Sequence, residues 1–537
     1  MHRNQSVQAH NFAMVPRSDV PRSGFKIENA YKTTFNGGIL VPVYCEEVLP
    51  GDTFNLKATM FARLATPIVP VMDNLYLESF FFFVPNRLVW DNWKRFCGEQ
   101  DTPGATVDYV VPKIGVNSSH VQPGTIYDYF GIPGAGQLTG GLAINALPFR
   151  AYNLIWNEWF RDENLQVPLT VNKTDSDVPG NYQLRRRGKR HDYFTSCLPW
   201  VQKGNSVTLP LGTSAPVKTS STGQVSGPRS GLSFLNATTG NAITNSGDFG
   251  IDVNSSMVYN ASGITGAIGG VYPNNLYADL SAATAATINQ IRQAFQIQKL
   301  LERDARGGTR YTELVKSHFG VTSPDARLQR PEYLGGGMTP INIQPIAQTQ
   351  ATAADGTPLG ALAAYGTALA HNHGFTQSFT EHGHVIGLIS VRADLNYQQG
   401  CNRMWFRKTR YDYYWPVFAM LGEQAVLNQE IYCTGTATDE QVFGYQERWA
   451  EYRYKPSLIT GHLKSTHPQP LDIWHLAQKF TALPTLNDSF IQDAPPIDRI
   501  IATTEQTGQQ FVLDCFFRNK AARPLPMYSV PGLVDHF

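Results

Sequence analysis

PGDTFNLKATMFARL, residues 50–64, opens on a tight-turn tripeptide and then alternates. Phe54, Leu56, Ala58, Met60, Ala62 and Leu64 fall on one side of an extended chain, with Asn55, Lys57, Thr59 and Arg63 on the other. Successive strand side chains point to opposite faces, so this period of two predicts a half-buried β-strand entered through a turn. Outward from it, GILVPVYCEEV (38–48) and NLYLESFFFFV (74–84) repeat the theme. The second is apolar on both faces near its end, which predicts a sheet interior or a subunit contact. VIGLISVRADLNY (385–397), RKTRYDYYWPVF (407–418), FGYQERWAEYRYKP (443–456) and FVLDCFFRN (511–519) return the last third to strands. Strands at both ends with long excursions between them predict one mainly β sandwich interrupted by insertions.

Three helices interrupt this pattern. Pro85-Asn86 opens one that ends at Gly98, with Val89, Trp93 and Phe96 at helical spacing. LPFRAYNLIWNEWFRDENL (147–165) places Tyr152, Ile155, Trp156 and Trp159 on one stripe, and residues 284–303 form an amphipathic third. From Leu211 to Thr284 only Lys218, Arg229, Asp248, Asp252 and Asp279 are charged, and Ser, Thr, Gly, Asn and Ala dominate. Such a segment buries too little apolar surface to fold alone. It reads as a surface insertion that needs neighbours, with weak strands in GLSFLNAT and NSSMVYNASG. Residues 348–370 read as a second low-complexity loop. The organisation expected is an arm over 1–24, core with helical insertions over 25–210, a polar insertion over 211–284, a helix and loop insertion over 285–374, and the rest of the core over 375–537.

Bulk chemistry narrows the function classes. The chain has 44 basic against 43 acidic side chains, so no global field recruits nucleic acid or membrane. Only 16% of residues are charged, while 42% are apolar, which suits a surface partly buried against other subunits. Cys45, Cys97, Cys197, Cys401, Cys433 and Cys515 include no C-x-x-C pair and read as free thiols. The N-terminal residues lack an apolar core and read as a polar arm rather than a cleaved signal. No P-loop, G-x-S-x-G or dinucleotide fingerprint occurs.

Three constellations could carry chemistry. HNHGFTQSFTEHGH (371–384) holds His371, His373, His382 and His384 as two His-x-His pairs, and in a strand each pair would face one ion. No carboxylate follows, and VIGLISV leads into an apolar core instead, so metal chemistry is the weaker reading and no cofactor is expected. If these histidines gather where subunits meet, they gain charge between about pH 7 and 5 and acid weakens the contact. Arg185, Arg186, Arg187, Lys189 and Arg190 offer phosphate neutralisation, or else form a solvated loop or pair with carboxylates of a neighbouring subunit. On the first reading, removing their charge costs DNA retention more than subunit stability. RKTRYDYYW and RWAEYRYKP could stack single-stranded bases, but read better as interface or core.

Longer strings carry a resemblance. LESFFFFVPNRLVWDNWKRFCGE, LPFRAYNLIWNEWFRDENLQ, YFTSCLPWVQKG, HGHVIGLISVRAD and FFRNKAARPLPMYSVPGL resemble the major capsid proteins of microviruses, small icosahedral single-stranded-DNA phages, in their gokushovirus branch. The match runs from about residue 20 onward and thins across 211–284. It implies an eight-stranded antiparallel jelly roll with long inter-strand insertions and a few helices, non-enzymatic, self-assembling into a T=1 icosahedral shell around circular single-stranded DNA. It also implies that Leu211 to Thr284 forms three-fold protrusions for host attachment through a surface receptor. The N-terminal cations Arg3, Arg17 and Arg22 would lie inside, near the genome or a small basic DNA-binding capsid protein. The expected location is the virion, assembled in the host bacterial cytoplasm. Two other readings stay open on the residues alone: a β-sandwich that stacks sugars on exposed Trp and Tyr, and a metal-dependent β-barrel enzyme built on His371 to His384.

Overall fold

The computed structural model describes residues 21–134, 136–207, 217–219, 234–236, 247–251, 257–261, 268–273, 276–278, 288–352, 356, 358–502 and 509–528. Eight antiparallel strands form one nearly closed sheet: β1 (Ser23–Phe35), β2 (Val41–Val48), β3 (Thr53–Leu64), β4 (Leu75–Pro85), β5 (Glu332–Ala347), β6 (Leu362–Ser378), β7 (Gly383–Ala393) and β8 (Phe511–Arg523). Their order across the sheet is β1-β8-β3-β6-β5-β4-β7-β2. First pairs with last, second with seventh, third with sixth and fourth with fifth, as in a long antiparallel hairpin rolled into a barrel. That is a jelly roll.

The alternation in residues 53–64 is what the barrel uses. Phe54, Leu56, Ala58, Met60, Ala62 and Leu64 are all buried in the barrel core, while Lys57, Phe61 and Arg63 are exposed. β3 lies between β8 and β6, so Met60 has Cys515 on one side and Ala370 on the other. Phe511, Leu513, Cys515 and Phe517 enter the same core from β8.

β4 is apolar on both faces because both are covered. Phe81 and Phe83 point into the barrel, whereas Phe82 and Val84 join a second core with Trp90, Ile114, Phe149, Tyr152, Ile386 and Leu388. This second core is carried by the chain after β4 and includes the helix α1 (Leu147–Ile155), which packs on β4 and β7. α1 runs into a π turn, Trp156–Phe160, and ends at extended Arg161 rather than at residue 165. The helix expected over 85–98 is split into a 3-10 turn, Asn86–Leu88, and a single turn, Trp93–Phe96. A third core, including Tyr193, Phe194, Val426, Ile431, Phe443 and Phe490, is built mainly by the chain between β7 and β8.

Several expectations are corrected. The span 285–374, read as helix and loop, contributes β5 and most of β6 to the barrel. Small residues hid β6: Ala364, Ala368 and Ala370 alternate inward, and a Cβ on Gly366 would stand 3.0 Å from Leu64. Packing there is too close for the large side chains that mark strands. β5 carries Pro340 and Pro345, but it pairs with β4 through Ile341 and with β6 from Asn342, leaving each half one side free of ladder bonds. Residues 407–418 are not a strand. Asp412 accepts hydrogen bonds from the Lys408 and Thr409 amides at 3.0 and 2.7 Å, and these local bonds cap a 3-10 turn at Arg410–Asp412; a second turn, entered through proline, follows at Pro416–Phe418. Residues 443–456 divide into a strand, Val442–Glu447, and a turn of helix, Ala450–Arg453, separated by Trp449 at φ +70°.

Residues 202–304 form a separate compact unit. Within it, short strands at Phe234–Asn236, Ile268–Pro273, Met257–Ala261 and Gly247–Ile251 make an antiparallel sheet in that order. The two segments expected to hold weak strands each supply one. The helix α2 (Ile288–Gly307) begins in this unit and ends in the barrel unit, and α3 (Tyr311–Phe319) follows. Among the described residues, no helix is long and apolar enough to cross a membrane.

Candidate functional site

The basic run is built into the subunit. Residues 185–189 form an extended strap between two segments. The Leu40 and Arg187 amides bond to the Arg185 and Gly38 carbonyls, and on the other side the Lys189 and Asp493 amides bond to the Ile491 and Arg187 carbonyls, at 2.8–2.9 Å. Gly38 has φ +77°, and a Cβ there would sit 2.1 Å from the Asp493 carbonyl, so this crossing requires glycine. The helix stripe secures the strap: Tyr152 receives the Arg185 amide at 3.0 Å and donates to Leu40 at 2.9 Å, and the Trp156 indole donates to the Arg186 carbonyl at 3.2 Å.

Four of the five cations donate hydrogen bonds or form ion pairs within their own chain. Arg187 pairs with Glu78 and lies over the Phe80 ring at 4.6 Å. Lys189 donates to Gln478 at 2.8 Å over Phe490, and Arg190 reaches Asp394 at 3.1 Å and Glu78 at 3.4 Å over Tyr76. Arg186 donates to the Asp493 carbonyl at 3.1 Å, and Arg185 faces the Trp156 ring. Arg392, from β7, adds two more bonds to Glu78 at 3.0 and 3.1 Å. Burial holds the Arg187 guanidinium at about 9 and the Arg392 guanidinium at about 10, each lowered further by neighbouring guanidinium groups, and the Lys189 amine at about 8. It pushes the Asp493 carboxyl up to about 6 against the pull of Arg392, Lys189, Arg187 and Arg186. Removing charge here is therefore expected to cost subunit stability as well, most of all at the buried Arg187. Sequence reading missed Glu78, Arg392 and Asp493, although a lone carboxylate in LYLESFFFF and a lone guanidinium in VIGLISVRA were signals of buried pairing.

The four histidines are separated by their surroundings. β6 bulges between Ala370 and His373, with Asn372 at φ +58°, so the i, i+2 geometry assumed for His371 and His373 does not hold. His371 is exposed. His373 is buried, with Nδ1 2.8 Å from the Ser79 hydroxyl and Nε2 3.0 Å from that of Thr339. A Cβ on Gly337 would meet its ring at 2.5 Å. His382 packs edge-on to Trp93, and its carbonyl receives the Asn86 amide at 3.0 Å. His384 stands on the outer face of β7 beside Ile386, buried under the second core. Neither ring nitrogen has a hydrogen bond, and the nearest carboxylate, Glu47, is 3.9 Å away. Burial holds its imidazole down at about 4 and lowers that of His373 too. Among the described residues no three His, Cys, Asp or Glu side chains are grouped to hold a metal.

Of the arm cations, Arg22 is exposed beside Thr53, and Arg3 and Arg17 lie outside the described residues, as does most of Leu211 to Thr284. All six cysteines are free.

The class defined by the fold is an eight-stranded jelly-roll barrel with two large insertions, most of its cationic run paired internally. The chain belongs to the phage capsid protein (F protein) family, which matches residues 13–533. It is 47% identical over 531 residues to capsid protein VP1 of Bdellovibrio phage phiMH2K, covering 98% of each chain. It is 43% identical to capsid protein VP1 of Chlamydia phage 1 and 37% identical to that of Spiroplasma virus 4, again over 98% of each chain.

Proposed function

We propose that this chain is the major coat protein of a small phage, closing a T=1 icosahedral shell around circular single-stranded DNA. The observation that carries the reading is the rolled barrel in which β1 pairs with β8 and β4 with β5, in a chain whose family membership covers nearly its whole length. The role is structural, and self-association through apolar and aromatic contacts drives it. Genome contact is assigned to the arm cations Arg3, Arg17 and Arg22, together with a small basic DNA-binding partner. The internal partners of Arg187, Lys189 and Arg190 argue against Arg185 to Arg190 as the main genome patch. Working location is the virion, after assembly in the bacterial cytoplasm.

Leu211 to Thr284 is proposed to protrude at the three-fold axes and meet a host-surface receptor. Its support is composition, since a polar segment this poor in large apolar residues gains stability from symmetry copies clustered around a closed axis. Deleting Thr213 to Ala283 is expected to leave particle formation intact and abolish adsorption to host cells. Well-folded subunits that no longer form particles would make this segment an assembly element instead.

A further inference from the structure

Residues 403–421 and 452–458 leave open more apolar surface than a solitary chain does. Met420 is 96% exposed, Val417 87% and Trp405 73%, and Met404, Tyr454 and Leu458 are each more than half exposed. Ring contacts tie the middle of this face together. Tyr411 packs on Phe418, the Trp449 indole donates to the Phe418 carbonyl at 2.9 Å, and Tyr414 contacts both Trp449 and Tyr452. With on the order of 100 Å² open per large side chain, the face presents roughly 1,000 Å². The largest apolar patch of a typical monomer is about 300–600 Å², and a standard specific interface takes about 800 Å² from each partner. The face also has a socket. Met404, Trp405, Tyr454 and Leu458 line a cavity of about 350 Å³ together with Tyr193, Phe194 and Tyr397, and the Arg403–Glu430 pair at 3.1 Å lies in its wall. A pocket inside an apolar patch is where interfaces seat an anchoring side chain.

We propose that this face is a subunit contact, covered in the shell by a second copy of the chain; the proposal rests on the shell reading above. Single-stranded DNA is the competing occupant, since Lys408, Arg410, Lys455 and Lys464 accompany the aromatics. Two observations favour protein. Met404, Val417, Met420 and Leu458 have no π-face on which a base could stack, whereas aliphatic surface is what an interface core buries. Arg407 already lies over the rings of Tyr413 and Tyr452, at 5.1 and 4.5 Å, leaving those faces unavailable to bases.

The test uses the full chain under conditions where wild-type particles form. Met420→Glu and Trp405→Ala alter side chains that stand largely in solvent, so both variants are expected to unfold at the wild-type urea midpoint. Each is expected to lower the yield of sedimenting particles roughly tenfold or more, as loss of an interface anchor does. Cys401, an exposed thiol on the cavity wall, provides a reading independent of substitution. Mapped by mass spectrometry, it is expected to react with a maleimide in free subunits and to be protected in particles. Wild-type yield from both variants, with Cys401 equally reactive in both states, would overturn the contact. Normal particle yield with less nuclease-resistant DNA would overturn it in favour of a nucleic-acid platform. A wild-type chain that never forms particles would instead remove the shell reading on which the contact rests.

Discussion

Glu78→Gln is expected to lower the stability of the subunit by about 3 kcal/mol or more, the range seen when one partner of a buried ionic cluster is removed. Glu78 sits on β4 with its carboxylate buried and shared by Arg187, Arg190 and Arg392. Glutamine keeps the volume and part of the hydrogen bonding but leaves three guanidinium groups with one counter-charge fewer. Arg187 and Arg392 are each less than one-sixth exposed, so water cannot replace it well. The wild-type cluster need not be strongly stabilising in itself, because its attraction largely offsets the cost of desolvating the charges; the loss comes from breaking it. Arg190→Gln is the matched control. Arg190 is about one-third exposed and also pairs with Asp394, so its removal is expected to cost about 1 kcal/mol or less. Urea unfolding of both variants checks the comparison, and equal midpoints would mean that Glu78 does not hold the strap.

A second large effect is expected with acid. His384 titrates at about 4 in the fold, against an ordinary value of 6.5, because burial disfavours its charged form. Between these values the unfolded chain binds more protons than the folded one. Its contribution is therefore complete above about pH 6.5 and is lost as pH falls toward 4, with about 2 kcal/mol gone by pH 5. Asp493 works in the opposite direction. Its carboxyl titrates at about 6 in the fold, above its ordinary 3.8, so protonation favours the fold as pH falls through that range. The two partly cancel in the wild-type chain, and the difference between chains isolates the histidine. Between pH 7 and 5, wild-type protein is expected to lose about 2 kcal/mol more than His384→Leu. Identical pH dependence would show that the buried imidazole does not resist charging. Part of the acid sensitivity is thus expected inside the subunit at His384, separate from any charging of exposed His371 at a subunit contact.

How much of this could be read from the residues depends on side-chain size. β3 and β8 were legible because large apolar residues alternate in them, and β4 and β7 because apolar residues run along both faces, as FFFFV and VIGLISV show. β6 was not, since its inward positions are alanines and a glycine held close to β3, and composition alone cannot distinguish such a strand from a loop. β5 was hidden by its glycines and prolines, which its divided pairing tolerates. The stretch 407–418 erred the other way: tyrosines and tryptophans of high strand propensity are overruled by the Asp412 cap and Pro416. The site was less legible than the fold. Five cations in six positions look the same in sequence whether they meet a phosphate or Glu78, and that partner lies more than a hundred residues away. The His-x-His pairs failed as a metal motif because a bulge, invisible in sequence, separates one pair, and because the two buried rings have unrelated surroundings.

This chain is expected to close into a shell, by itself or with its genome. Cryo-electron microscopy of purified full-length protein, after expression in a bacterial host, tests it most directly. Closed T=1 particles are expected, with subunit density that fits the β1-β8-β3-β6-β5-β4-β7-β2 barrel and the 403–421 face covered by a neighbouring copy. Discrete monomers at all concentrations, or open aggregates without icosahedral symmetry, would contradict it.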